Sequence, residues 1–347
     1  MTLRCLLALG VPLAVVVVAF KVVVDALTVH VPGIMAIDVP DAPPKPSPLA
    51  SLDWGQPPVV GQAERRAFER DGFVVLHGAI DAAAMDVMAN ASEALCATSL
   101  ELWGVCAYHQ ARWQADAFRD FWLHGPLGRL AHGLLGGAGV RVVRDGIFSV
   151  RHSWRRLDFF SFQPHIDDQG RSRGVWGALH DNTSAVAAWF PLSDVDPAVD
   201  GGSITVWRGY VRSASTAEPV TVSFKRGDVL LFHPRMVHQT QPVLRRGFRR
   251  HAWYAWLADA DAVKCAGTVM NGCDTAAGQA CCREGALRPG SRIHHPCFPQ
   301  VHPSVPAAEL AAHFGPAPRP LVDPGGREPR AAFWAPECGG PAAGGGA

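Results

Sequence analysis

Three side chains in this 347-residue chain are spaced as metal ligands. His165-Ile166-Asp167 puts an imidazole and a carboxylate two positions apart. In an extended segment residues i and i+2 point to the same side, so both can grip one ion. Taken alone the pair is a weak signal, since short motifs recur by chance in a chain with 15 histidines, and a surface pair in a loop is the bland alternative. A second segment sharpens it. Gly227-Asp228-Val229-Leu230-Leu231-Phe232-His233-Pro234 reads as a turn entering a buried strand, followed by Arg235-Met236-Val237-His238-Gln239-Thr240. His238, 73 residues beyond His165, supplies a second imidazole. Two histidines and one carboxylate leave three coordination positions open, the facial arrangement that suits ferrous iron, a chelating co-substrate and O2 together. His233 is the competing ligand. Its place at the strand end before Pro234 suits packing or capping.

A carboxylate receptor stands beside these ligands in the sequence. If residues 238–241 and 248–256 form a hairpin, Thr240 and Arg249 lie opposite each other on antiparallel strands. A guanidinium beside a hydroxyl receives a carboxylate well. Arg245 and Arg246 read as the solvated tip. Arg250 stays the alternative to Arg249, because a bulge would exchange their faces.

The elements that must carry these residues follow from periodicity. Helical spacing covers 62–70, 81–98 and 115–135, the last broken near Pro126. From Val140 onward the period becomes two, with strands expected at 140–143, 148–152, 185–192, 203–206, 220–224, 229–232 and 250–256. Helices followed by short antiparallel strands predict an α+β fold. Its core is a double-stranded β-helix, a jelly-roll or cupin-like barrel, with N-terminal supporting helices.

Composition bounds the function. Charged residues make up 18% of the chain and the net charge is +1, which gives no clustered cation excess to hold nucleic acid. Hydrophobic residues at 48% supply a large core. Residues 5–20 are apolar throughout and follow Arg4. That run lies between a signal-peptide core of about 7–15 residues and a span of about 20. The expected organisation is a signal peptide or membrane anchor at 1–27 and a Pro-rich linker at 28–60. A catalytic domain at 61–262, a Cys-rich extension at 263–300 and a Gly/Pro-rich tail at 301–347 follow. This implies the secretory pathway, lumenal or membrane-anchored through residues 5–24, with the cytoplasm as the alternative. No feature points to a protein partner. Beyond Cys5 there are eight cysteines, six of them after residue 260, which suggests disulfides in the extension. Asn90-Ala91-Ser92 and Asn182-Thr183-Ser184 are glycosylation sequons.

Several segments in order resemble the phytanoyl-CoA dioxygenase family of Fe(II)/2-oxoglutarate oxygenases. They are Phe68-Glu69-Arg70-Asp71-Gly72-Phe73-Val74-Val75-Leu76, Pro164-His165-Ile166-Asp167-Asp168, Ala188-Trp189-Phe190-Pro191-Leu192-Ser193-Asp194-Val195, Asp200-Gly201-Gly202-Ser203-Ile204 and the stretch from Gly227 to Arg249. The chain departs from the family's pattern at Val206-Trp207-Arg208-Gly209-Tyr210. The resemblance implies that His165, Asp167 and His238 ligate Fe(II) and that Arg249, with Thr240, anchors 2-oxoglutarate. Trp189 would line the co-substrate site, unless it is plain core. O2 would be the second co-substrate, and a small organic or lipid-like substrate would be hydroxylated with release of succinate and CO2. Two other readings stay open: a binding module without chemistry on the same scaffold, and a metal-dependent cupin-type isomerase or hydrolase, which would have no use for the carboxylate receptor.

Overall fold

A computed structural model describes residues 45–55, 58–97, 105–109, 111–113, 115–152, 164–166, 185–262 and 298–303. Asp167 and seven of the nine cysteines lie outside these residues. Helix α1 (Gln62–Asp71) begins where Glu64 accepts the amide of Gly61 at 2.9 Å. It ends at Gly72, whose φ of 82° is a left-handed conformation that glycine adopts without steric cost. The chain turns at once into strand β1 (Phe73–Leu76). Helix α2 (Ala82–Ala97) and strand β2 (Val105–His109) follow. Pro126 then separates α3 (Asp116–His124) from α4 (Leu127–Leu135).

The remaining strands are β3 (Val140–Arg151), β4 (Ala185–Pro191), β5 (Ile204–Arg208), β6 (Glu218–Thr221), β7 (Val229–Phe232), β8 (His238–Thr240), β9 (Arg249–Asp259) and β10 (Gln300–His302). They make two antiparallel sheets. The larger runs β1-β7-β4-β9-β3-β10, with β2 also on β3, and the smaller runs β6-β5-β8. Strand β4 is buried at every position because both of its faces are covered. Val186, Ala188 and Phe190 join Trp253, Ala255 and Leu257 of β9 in a core shared with the helices. Ala185, Ala187 and Trp189 join Ala252, Trp256 and Ala258 in a second core, to which the small sheet adds Ile204 and Val206. The layers are therefore helices, large sheet and small sheet, an arrangement of the jelly-roll kind. Trp253 ties the first two together. Phe118 of α3 stacks on it at 3.7 Å, and its Nε1 donates to Ser92 Oγ of α2 at 2.8 Å.

Several expectations change. Strands 140–143 and 148–152 are one strand, β3, interrupted only by a register shift between Val142 and Arg144. Its middle reads as a turn but is held by burial. Asp145 accepts the guanidinium and the amide of Arg112, and both side chains are almost wholly enclosed. The hairpin expected between 238–241 and 248–256 does not form. Strand β9 is already bonded along both edges, to β3 and β4, so β8 pairs with β5 in the other sheet. Residues 47–54, expected in the linker, pack on the domain, with Leu49 fully buried. Residues 300–302, at the boundary with the tail, pair with β3. The sequon serine Ser92 is buried inside α2 and donates to Met88 O at 2.7 Å. Among the described residues no helix is long and apolar enough to cross a membrane, and residues 5–24 lie outside them.

A disulfide joins Cys96, in the last turn of α2, to Cys106 of β2. It links the helix layer to the edge of the large sheet ahead of the region where cross-links were expected. Alkylating the denatured protein without reductant should leave these two cysteines unmodified in mass spectrometry. The paired change Cys96→Ser with Cys106→Ser should lower unfolding stability by about 2–3 kcal/mol, read from urea midpoints.

Candidate active site

The site grows from strand β8. His238 and Thr240 sit two apart, opposite Val206 and Ile204 of β5, on the face that looks toward the large sheet. His165 extends the small sheet beyond β8. Its amide donates to His238 O at 3.0 Å, and the His238 amide donates back to His165 O at 2.9 Å. The two imidazoles come together, with ring centroids 4.3 Å apart and planes inclined by 53°. The His238 Nδ1–H donates to Met236 O at 3.0 Å. A carbonyl can only accept, so the lone pair of this imidazole is on Nε2. Anchoring one ring nitrogen to a carbonyl is how metal-binding histidines are usually oriented. The ring of Phe232 lies 4.9 Å from that of His238. Asp167, two residues past His165, is outside the described residues, and no cluster of three His, Cys, Asp or Glu forms among those that are described.

His233 is placed elsewhere. Its Nδ1 accepts the amide of Arg235 at 3.1 Å, and its ring approaches Phe68 of α1 at 6.4 Å. It closes the turn at Pro234.

Strand β9 separates Arg249 from Arg250. Arg249 points to the helix layer, where its Nη1 donates to Glu93 Oε2 of α2 at 2.7 Å. The other oxygen of the same carboxylate pairs with His251 Nε2 at 2.7 Å. Arg249 and Thr240 thus stand in different layers, not opposite each other. Arg250, between the two residues that Glu93 holds, points to the space between the sheets. It is 1% exposed, donates to Gly202 O at 2.8 Å, and lies 5.5 Å from the Trp189 ring and 5.6 Å from that of Phe148. Trp189 in turn packs on Phe224 at 5.1 Å. Burial alone pushes the Arg250 guanidinium down to about 9. No carboxylate pairs with it among the described residues, and its Nε and the Oγ1 of Thr240 are buried without hydrogen-bond partners there. Two unsatisfied polar groups facing one layer are costly unless something polar meets them.

The carbonyl that Arg250 meets depends on two glycines. Gly201 and Gly202 both have positive φ, 62° and 67°. A Cβ on Gly201 would strike Pro242 O, and one on Gly202 would come 3.0 Å from Val243. Their absence lets the turn before β5 lie against the crossing from β8 to β9 and present its carbonyl to Arg250.

Neither a family model nor a curated protein sequence matches this chain. Solved structures do, and what they share with it is the fold, a jelly roll. The non-haem alpha-ketoglutarate-dependent carbocyclase SnoK from nogalamycin biosynthesis superposes with a TM-score of 0.56 at 22% identity, covering 71% of this chain and 100% of SnoK. The epimerase SnoN of the same biosynthesis superposes at 0.55 and 22%, covering 69% of this chain and 98% of SnoN. SnoN has also been solved with Fe3+, alpha-ketoglutarate and nogalamycin RO, and that structure superposes at 0.54.

The Glu93 clamp makes acid stability a test of the β9 geometry. Burial holds His251 below its usual 6.5, against the opposing pull of Glu93. Burial alone would raise Glu93, but its hydrogen bonds and charge contacts with His251 and Arg249 outweigh this and hold it below 4.5. Both folded values are depressed, so the unfolded chain binds more protons and stability falls on acidification. Urea midpoints should begin to fall below about pH 6.5 because of His251 and fall further below about pH 4.5 because of Glu93. His251→Gln should remove the upper part of this decline and Glu93→Gln the lower part. Glu93→Gln itself should cost no more than about 1 kcal/mol at pH 7, since the carboxylate is half exposed.

Proposed function

We propose that this chain is a non-haem Fe(II)- and 2-oxoglutarate-dependent oxygenase acting on a small organic substrate. The observation that carries the reading is Arg250, a buried guanidinium with no carboxylate partner among the described residues, on the same layer as Thr240 and the His165/His238 pair. A dicarboxylate co-substrate supplies what that layer lacks. One carboxylate would be received by Arg250 and Thr240, while the 2-oxo acid end would reach the metal. Arg250 takes the anchoring role first expected of Arg249, because only Arg250 faces the histidines' layer. His165 and His238 would hold iron with Asp167, the third member of the sequence motif.

When bound, iron with 2-oxoglutarate and O2 supplies the oxidising power to attack an unactivated C–H. That chemistry would place one atom of O2 in succinate, with loss of CO2, and the other in the substrate as hydroxyl. The residues of the chain do the rest. Met236 O fixes the tautomer of His238, and Gly202 O aims Arg250. The rings of Phe148, Trp189 and Phe224 exclude water from the anchored carboxylate, which strengthens its pairing with Arg250. Hydroxylation is the outcome proposed for the substrate. A cupin-type isomerase or hydrolase would have no use for an enclosed carboxylate receptor. The Cys96–Cys106 disulfide and the apolar N-terminal run together support an oxidising, secretory location.

Mixing the protein with Fe(II) and 2-oxoglutarate under argon should produce a visible metal-to-ligand charge-transfer band. Asp167→Ala and His238→Ala should abolish it. Arg250→Lys should raise the 2-oxoglutarate concentration needed for half-formation by more than about tenfold. Arg249→Lys should change that concentration by less than about twofold, because its partner is an exposed carboxylate in the other layer. A wild-type protein that gives no band sinks the reading.

A further inference from the structure

Strand β5 carries one charged residue, and its place in the order of the site is specific. Ile204 stands opposite Thr240 and Val206 opposite His238. Both are buried in the core between the sheets. Side chains two apart share a face, so Arg208 follows them on that face. Gly202, whose carbonyl receives Arg250, precedes Ile204 by the same step. Along β5 the levels are therefore the Arg250 guanidinium, the imidazole of His238, and then Arg208, a further rise of roughly 7 Å. A co-substrate held at the first level and a metal at the second leave the third for the substrate. Arg208 falls where the chain departs from the family it resembles, in Val206-Trp207-Arg208-Gly209-Tyr210.

The backbone at Arg208 is fixed while its head is uncommitted. The Trp207 amide donates to Val237 O at 3.0 Å, and the Gly209 amide donates to Asp71 O at 2.9 Å. Gly209 has a φ of 75°, which lets the chain turn there. Arg208 itself is in register with Glu218 of β6. The residue is exposed, and its guanidinium makes no hydrogen bond or ion pair among the described residues, with Glu218 or with Asp71. Asp71 is already taken, since Nε and Nη2 of Arg70 donate to its two oxygens at 2.9 and 2.5 Å. Those bonds hold Asp71 below its usual 3.8 against the effect of burial, and the charges of Arg70, Arg208 and Arg212 add to them. Three guanidinium groups thus act on one carboxylate. The surfaces at the imidazole level are apolar: Phe73 of β1 is paired with Phe232, whose ring lies 4.9 Å from that of His238.

We propose that Arg208 determines specificity by receiving the carboxylate of a small organic acid, whose apolar body reaches past Phe73 and Phe232 to the metal site. This rests on the oxygenase reading of the same site and names its substrate class. A guanidinium offers N–H donors in a planar fork that matches a carboxylate in charge and shape. The docked backbone presents that fork without the cost of ordering a loop on binding. The co-substrate's carboxylate is then held on the Arg250 side of the imidazoles and the substrate's on the opposite side. The C–H to be attacked is aligned from its acid end.

The test loads the protein under argon with Fe(II) and saturating 2-oxoglutarate. Tryptophan fluorescence, to which Trp207 beside Arg208 contributes, is then followed as hexanoate or 3-phenylpropionate is added, each against its primary amide. At least one acid should bind with a Kd about three- to thirtyfold below that of its amide. Arg208→Gln should close that gap. Arg212→Gln should leave it, since the Arg212 Nε is engaged by Glu69 O at 2.9 Å. Both arginines are exposed, so neither change threatens folding. The proposal is overturned if neither acid saturates, if the amides bind as tightly, if the gap survives Arg208→Gln, or if Arg212→Gln closes it as well. Failure of the oxygenase reading shows separately, as absence of the charge-transfer band before any acid is added.

Discussion

Strand β9 is hydrogen-bonded along both edges, to β3 on one side and β4 on the other. That constraint organises the molecule. A strand with no free edge cannot also pair with its neighbour in sequence, so β8 joins the other sheet and the residues of β9 alternate between two cores. Arg249, His251 and Trp253 go to the helices, and Arg250, Ala252 and Trp256 go between the sheets. Glu93 holds the residues on either side of Arg250 from the opposite face. The direction of Arg250 is therefore fixed by bonds that Arg250 does not make.

Two enclosed arginines show how differently a protein can treat the same charge. Burial depresses Arg112, but Asp145 opposes the shift and accepts both its guanidinium and its amide. That charge has its counter-ion within the fold, and the pair serves to keep β3 continuous. Arg250 has a carbonyl and two aromatic faces, which leave its charge without a counter-ion among the described residues. Enclosing a charge in that state is expensive. The first arrangement belongs to architecture, and the second is the one we propose for binding.

Much of this was readable from residue order. The helices before β3, the break at Pro126 and strand β7 follow from periodicity and from where proline and glycine fall. The approach of His165 to His238 was readable only as a motif, since 73 residues separate them. The choice between Arg249 and Arg250 was not readable. Both faces of β9 are apolar, so alternation carries no sign of which side meets the histidines, and the pairing of β8 with β5 is a long-range choice. Residues 144–146 misled for a related reason. Arg-Asp-Gly is turn chemistry in water, but here the aspartate is neutralised by Arg112 and the glycine makes room for Tyr254. Tertiary contacts overrode local preference. Leu49 was hidden among prolines, whose density marks an extended chain but not whether that chain is docked.

That docking changes what counts as the folded unit. Leu49 belongs to the same core as Phe118 and Trp253, the Ser47 amide reaches Asp120 at 2.6 Å, and Trp54 meets Phe121 edge-on at 5.8 Å. A protein begun at residue 61, where periodic sequence starts, would lack the strap over α3. It would uncover aromatic rings and leave the carboxylate of Asp120 short of a donor. Anyone trimming the chain for expression or crystallisation should therefore cut upstream of Lys45, whose carbonyl accepts the guanidinium of Arg119 at 2.9 Å. The prolines there act less as a spacer than as the outermost stave of the core.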